Sequence, residues 1–600
     1  MAAIDVNDSI RLDLPDSVEV RQRPASRRSR SLVRAESDGL EIALEEAGLE
    51  VEAELELVPA APPAGPRRRR ARPADVPPTI EVRVGAAEGA LLLLETEGGV
   101  FAWVEPDSER SSRRGGGRTL TFSLAGEEGG AGRRGRSGRR GVLSWIGERL
   151  VEPIRVRVLR FAATQAVDRL VDLIEGDRPF GLVDMRGAAS TWLPAAPLPQ
   201  LGPGPARILL MVHGTFSTTI GSYSALEATA SGRAFLKESR SNYDAVLGFD
   251  HPTLGEDPER NAADLMAVLE GLPEGSQIDS VAFSRGGLVL RTLIERLAPA
   301  TRPDLGFGRA VFVACTNGGT NLANPENWHT LVDLYTNIVM AGARALSVVS
   351  TGIAAGIVAS TVSTLARFVK LLPQLAIEER RVPGLAAMLP DGTFVEALNS
   401  GPGSGGTDYH VIASDFEPRI EPSKGLTGEL TEYLIDRLAD RLFQADNDLV
   451  VHTQSMWEFG ASRPPLDERK VHLIPTEETI YHIIYFGSEK VGELLTGWLF
   501  PQGVGERALP PAPPTPERHV RAAGANIDDS ARGIGRGGGG FAKGFEPLGD
   551  IGDVSFDRIV FGGADFGEGA ARGRRRSPAP AADQIRPAKR RRGGSPPPPP

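Results

Sequence analysis

The chain has 600 residues, a formal net charge of −10, 70 glycines, 47 prolines and a single cysteine. The acidic balance argues against general nucleic-acid binding. The lone Cys315 excludes an intrachain disulfide framework and a cysteine-built metal site. The length allows on the order of three or four domains, yet many glycines and prolines cluster in stretches without apolar periodicity, which cannot bury enough surface to offset chain entropy.

The N-terminal stretch MAAIDVNDSIRLDLPD has no basic region and no apolar run, so no signal peptide is expected. Together with the single cysteine this makes the cytoplasm the expected compartment. Residues 1–78 are expected to be mostly disordered. Two Arg-rich stretches, 21–31 and 59–78, read as solvated linkers, with an anionic tether as the other reading. Between them LEIALEEAGLEVEAELELV interleaves acidic and apolar residues, which suits a short helix or a strand pair. Over 79–124 the runs TIEVRVG, ALLLLETE, VFAWVEP and TLTFSLAG predict a small β-rich domain. A Gly/Arg loop follows. Residues 142–175 have apolar positions three and four apart and read as helix. A Pro-rich linker then ends near Ala206.

Beyond Ala206 the pattern alternates. ARILLMVHG, YDAVLGFD, QIDSVAFS, GRAVFVACT, DYHVIASD and KVHLIP are apolar strands. DPERNAADLMAVLEGL, RGGLVLRTLIERLA, LTEYLIDRLADRLF and SEKVGELLTGWLF are helices between or after them. Alternation of this kind predicts a mostly parallel sheet with helices on both faces. The apolar region 328–390 interrupts it and reads as a cap. Within the cap, 345–366 is uncharged and long enough to span a bilayer. Its Ser, Thr, Ala and Gly content makes transfer into lipid marginal. A lid or buried helix pair, broken near Thr351 and Gly352, is the preferred reading. From 502 onward the sequence is low-complexity and is expected to be disordered.

The most informative stretch is Ala282-Phe283-Ser284-Arg285-Gly286-Gly287, which joins an apolar strand directly to an amphipathic helix. This is the context of a nucleophile elbow, in which small residues flank the serine so that the backbone can turn sharply. Ala282 stands where the pattern usually has Gly; the plain reading is a serine capping an ordinary strand–helix turn. His213-Gly214-Thr215-Phe216 ends the first core strand and suits an oxyanion loop. The expected donors are the Thr215 and Arg285 amides, with Phe216 in reserve. His213 reads as a brace for that loop. A serine needs an adjacent base. His482 follows the last strand across a short loop and is the preferred base; His452, on the acid-bearing segment, is the alternative. The acid is Asp448, with Asp446 as the alternative. Asp446, Asn447 and Asp448 together also look like a cation loop, but no EF-hand spacing follows. No cofactor or metal is expected.

HGTF, AFSRGG, CTNGGTNLA, NDLVVHTQSM and YHIIYF together resemble the bacterial lipase and esterase branch of the α/β-hydrolase superfamily, over 206–501. The resemblance implies an α/β-hydrolase fold with a helical cap, preceded by the small β-rich domain. It implies Ser284, Asp448 and His482 as a catalytic triad, and hydrolysis of small-molecule or lipid esters, with thioesters also possible chemistry. Apolar cap helices would accept an acyl chain or touch a membrane surface peripherally. The contrasting expectation is a hydrolase-like scaffold that recruits partners and does no chemistry.

Overall fold

The computed structural model describes residues 2–501 apart from 16–17, 23–33, 61–77, 97–98, 112–115, 125–152, 164–174, 176–177, 193–195, 348–350, 376–381, 418–444 and 461–465. The Gly/Arg loop, most of both Arg-rich stretches, the helix expected over LTEYLIDRLADRLF and the tail from 502 lie outside the described residues.

The first 162 residues contribute ten strands: β1 (Ala2–Asp5), β2 (Ile10–Leu14), β3 (Val18–Gln22), β4 (Glu50–Pro59), β5 (Thr79–Val84), β6 (Glu88–Thr96), β7 (Phe101–Val104), β8 (Ser108–Ser111), β9 (Arg118–Ser123) and β10 (Ile154–Ala162). They form two antiparallel five-stranded sheets, ordered β1-β2-β5-β9-β8 and β3-β4-β10-β6-β7. Alternate residues of each sheet meet in one core, with Ile10, Leu12, Ile80, Val82 and Phe122 facing Leu55, Leu57, Leu92, Leu94 and Val156.

Two expectations are corrected here. Residues 1–78 are not mostly disordered in their described part: they supply β1–β4 and the helix α1 (Arg34–Glu46). β1–β3 are four or five residues long, and β2, β3 and β4 are stabilised by partners distant in sequence, so local composition conceals them. The helix expected over 142–175 is replaced at its centre by β10. IRVRVLRF alternates with period two, and its arginines pair across the sheet with the glutamates of β4 and β6. Arg155 meets Glu95 at 2.9 Å, Arg157 meets Glu54 at 3.0 Å and Glu95 at 2.8 Å, and Arg160 meets Glu52 and Glu88. Opposite charges on facing positions of neighbouring strands support the register.

β6 and β7 of the second sheet are buried on both faces. β6 reads ALLLL without alternation because Leu92 and Leu94 face the sandwich core while Leu91 and Leu93 join the main core of the chain.

That main core surrounds a seven-stranded sheet of β11 (Gly181–Asp184), β12 (Arg207–Val212), β13 (Ala245–Asp250), β14 (Gln277–Phe283), β15 (Gly306–Val313), β16 (Asp408–Ser414) and β17 (Val471–Ile474). Its order is β11-β13-β12-β14-β15-β16-β17, with every neighbouring pair parallel except β11–β13. Helices α2 (Ala230–Asn242), α3 (Pro258–Leu269) and α4 (Gly286–Thr292) connect its strands. α3 starts as the sequence predicts: Pro258 occupies the first turn and the Asp257 side chain accepts from the Arg260 amide at 2.8 Å.

The cap consists of α5 (Trp328–Ser347) and α6 (Thr351–Leu375), and α7 (Glu489–Leu499) closes the described chain. α6 includes a stretch, Gly352–Leu372, long and apolar enough to cross a membrane, but most of it is buried within the protein. α1 covers part of α6, with Gly39 against Val358, and Arg367 and Lys370 of α6 bonded to the carbonyls of Glu46 and Ala47.

α5 also covers the outer edge of β7. The Asn337 side chain takes both the Phe101 N–H, at 2.7 Å, and the Phe101 carbonyl, at 2.8 Å. Asp333 Oδ1 accepts from the Trp103 N–H at 2.9 Å, and Thr336 Oγ1 accepts from the Trp103 indole at 3.0 Å. Polar side chains of a helix thus occupy edge groups that another strand would otherwise pair. Burial pushes the Asp333 carboxyl up to about 7, aided by the nearby Glu105 charge and opposed by the Trp103 hydrogen bond. A carboxyl raised on folding holds its proton better folded than unfolded, so stability falls as pH rises from the unfolded value toward about 7. Asp333→Asn keeps the acceptor and removes this titration. The melting temperature of the variant, relative to the parent chain, is expected to rise between pH 5 and pH 8; a difference independent of pH would contradict it.

Candidate active site

β14 ends at Phe283, and Ser284 turns the backbone into the left-handed region, with φ 54°. The Ser284 N–H donates to the Val313 carbonyl at 3.1 Å, and its own carbonyl accepts from the Gly287 N–H at 3.0 Å. A β-carbon on Gly286 would lie 2.4 Å from the Val212 carbonyl oxygen, so the start of α4 packs directly against β12. Gly214 is constrained similarly: a β-carbon there would be 2.5 Å from the Ser284 Cβ. The His-Gly loop and the serine turn are therefore in contact through their backbones. Ala282 is fully buried, and its carbonyl lies 3.4 Å from the Cys315 Sγ.

The structure brings together three of the predicted side chains. His482 Nε2 is 2.9 Å from Ser284 Oγ, and His482 Nδ1 is 2.8 Å from Asp448 Oδ2. All three are at most 1% exposed. Each is held by its own loop. Asp448 Oδ1 accepts from the Val450 and Val451 amides at 3.1 and 2.8 Å, while the following Leu449 adopts φ 76°. The His482 N–H donates to the Asp448 carbonyl at 3.0 Å, tying the histidine loop to the acid loop. The Phe283 ring lies 5.0 Å from the imidazole. Phe216, Ser284, Ala314 and Leu449 are four of the five non-glycine residues at positive φ among the described residues, and local strain of this kind concentrates where geometry is fixed for a purpose.

The Thr215 and Arg285 amides donate to no acceptor among the described residues. The Phe216 amide does: it bonds Thr253 Oγ1 at 3.2 Å. The Arg285 side chain is drawn aside, donating to Asn261 Oδ1 at 2.8 Å and to the carbonyls of Glu256 and Gly384. Burial pulls its pKa down to about 10, against the charges of Glu175, Asp257 and Glu256. His213 stacks on His251 at 4.2 Å and takes its backbone N–H, and burial lowers its pKa against the pull of Asp250. His452 forms an isolated bridge with Asn447 inside the acid loop, and the Asp446 carbonyl accepts from the Thr453 amide. No group of three or more His, Cys, Asp or Glu side chains among the described residues is arranged to hold a metal ion.

Sequence reasoning missed three hydroxyls. Tyr485 donates to Asp448 Oδ2 at 3.2 Å and lies 2.7 Å from Ser414 Oγ, which donates to the Ile480 carbonyl. Burial and the Asp448 charge together push the Tyr485 phenol well up. Tyr335 of α5 is 6.1 Å, ring to ring, from His482. Isolated tyrosines in apolar helix or loop patterns carry no signal that separates them from core residues.

Gly286→Ala is expected to destabilise the chain by about 1–3 kcal/mol, the usual range for overpacking, because the carbonyl it meets is backbone and cannot rotate away. Urea unfolding measures this; an unchanged midpoint would show that α4 can shift without cost.

Comparisons with known proteins give low similarity. No curated protein matches. Among solved structures, phospholipase PlaB from Legionella pneumophila is 12% identical with a TM-score of 0.25, over 42% of this chain and 45% of that one. This chain thus spans less than half of that phospholipase. Lipase 1 from Pelosinus fermentans is 13% identical with a TM-score of 0.31, over 51% of this chain and 100% of that one. Carboxylesterase CesB (YbfK) from Bacillus subtilis is 13% identical with a TM-score of 0.27, over 50% and 85%. One family model, described as a domain of unknown function, matches residues 182–500. It spans the seven-stranded sheet, the cap and all three residues of the hydrogen-bonded series, and the chain belongs to this family, DUF7379.

Proposed function

We propose that the chain has an α/β-hydrolase fold and is a serine hydrolase that cleaves carboxylic esters through an acyl-enzyme on Ser284. The observation that carries this reading is the unbroken series Ser284 Oγ–His482 Nε2 at 2.9 Å and His482 Nδ1–Asp448 Oδ2 at 2.8 Å. His482 takes the Ser284 proton as Oγ attacks the ester carbonyl carbon. Asp448 fixes the imidazole tautomer and stabilises the imidazolium. The tetrahedral oxyanion is received by the Thr215 and Arg285 amides. Two such preorganised donors act strongly in a water-poor site, where one alone is typically worth about 3–4 kcal/mol. His482 then protonates the departing alkoxide, and water, activated by the same histidine, releases the acid. Thioesters fit the same steps. We also propose a cytoplasmic location and peripheral contact of the cap with a membrane surface.

A fluorophosphonate probe is expected to label the chain, and Ser284→Ala to abolish labelling while leaving the fold intact. Asp448→Asn should lower kcat for a short p-nitrophenyl ester on the order of 10⁴-fold, as loss of the orienting acid does in other serine hydrolases. A folded chain that takes no probe and turns over no ester would sink the hydrolase reading in favour of a scaffold.

A further inference from the structure

Ser284 is 1% exposed, so the cap covers the nucleophile. Tyr335 of the cap stands beside the site: its ring meets Phe216 edge-on at 5.2 Å, and the imidazole of His482, which is bonded to Ser284, lies 6.1 Å away. Phe216 continues to Phe368 at 5.8 Å, and Phe368 to Trp328 at 5.6 Å. Aromatic rings from α5, α6 and the His-Gly loop therefore form one contiguous cluster that meets the His482 imidazole through Tyr335.

Tyr335 is also braced from behind. Asp333 and Asn337 stand two residues before and after it, and a two-residue step turns about 200° around a helix. These two side chains consequently face away from Ser284, and they are the ones bonded to the edge of β7. Burial raises the Tyr335 phenol above its ordinary value, so the group next to the serine is a neutral hydroxyl on a fixed ring.

We propose that Tyr335 is a specificity-determining residue of the Ser284 site: carried by α5 and held down by β7 of the N-terminal sandwich, its ring restricts the acyl group that reaches the nucleophile to short chains. This rests on the ester-hydrolase reading. It assigns the sandwich a task, which is to set how close the cap stands to the serine. A longer acyl chain must push Tyr335 aside, and α5 can yield only by loosening its bonds to Phe101 and Trp103.

The test compares kcat/KM for p-nitrophenyl octanoate and p-nitrophenyl acetate on the full chain. The parent is expected to favour acetate. Tyr335→Ala should raise the octanoate-to-acetate ratio by about tenfold or more, in the range that pocket volume commands. Tyr335→Phe, which keeps the ring, should leave the ratio within about twofold. Asn337→Ala, which releases both bonds to Phe101, should move the ratio in the same direction as Tyr335→Ala. If Tyr335→Ala does not fold, Tyr335→Leu reads the same ratio. An unchanged ratio in the shortened variant, or an equal change in Tyr335→Phe, overturns the proposal while Ser284-dependent turnover survives. Absence of any turnover that Ser284→Ala removes overturns the hydrolase reading, and this proposal with it.

Discussion

The backbone reversal at Ser284 is the constraint on which the rest of the chain is arranged. A residue with a side chain is held at φ 54° between a buried strand and a helix. The turn survives because the elements around it leave no room for another path. Gly286 lies against the Val212 carbonyl, Gly214 lies against the serine itself, and the Ser284 amide is tied to β15. These contacts fix the hydroxyl beside His482 and leave the next amide, that of Arg285, without an acceptor among the described residues. The buried guanidinium of Arg285 serves the same end, fastening the turn to Glu256, Asn261 and Gly384.

The acid and the histidine arrive on loops that would otherwise move independently. Their main chains are joined by the His482 N–H bond to the Asp448 carbonyl, so the side-chain pair inherits a fixed separation. Asp448 is fully buried, and its charge is offset by two amides, the imidazole and the Tyr485 hydroxyl. A buried carboxylate with that many donors keeps its place without a positively charged neighbour.

Much of the parallel sheet was legible because its strands are buried on both faces and read as unbroken apolar runs, from RILLMV to DYHVIAS. The order Ser284, Asp448, His482 was legible because each follows a recognisable strand or helix at the same edge of the sheet. The antiparallel sandwich was harder. β10 was read as helix since its apolar residues satisfy both periods, and the deciding information lies roughly a hundred residues away in the alternating glutamates of β4. Pairing of that range is a tertiary event that no local window contains. The same holds for Tyr335: its position in α5 is visible in the sequence, but the face it presents depends on β7.

The cover that α5 gives to β7 has a consequence beyond the site. Asp333 and Asn337 satisfy main-chain groups of a strand that ends its sheet, beside the buried rings of Phe101 and Trp103. An open sheet edge beside apolar surface is a template for another chain. The bonds that brace α5 over the serine are therefore the same bonds that deny this sheet edge to a second copy of the chain.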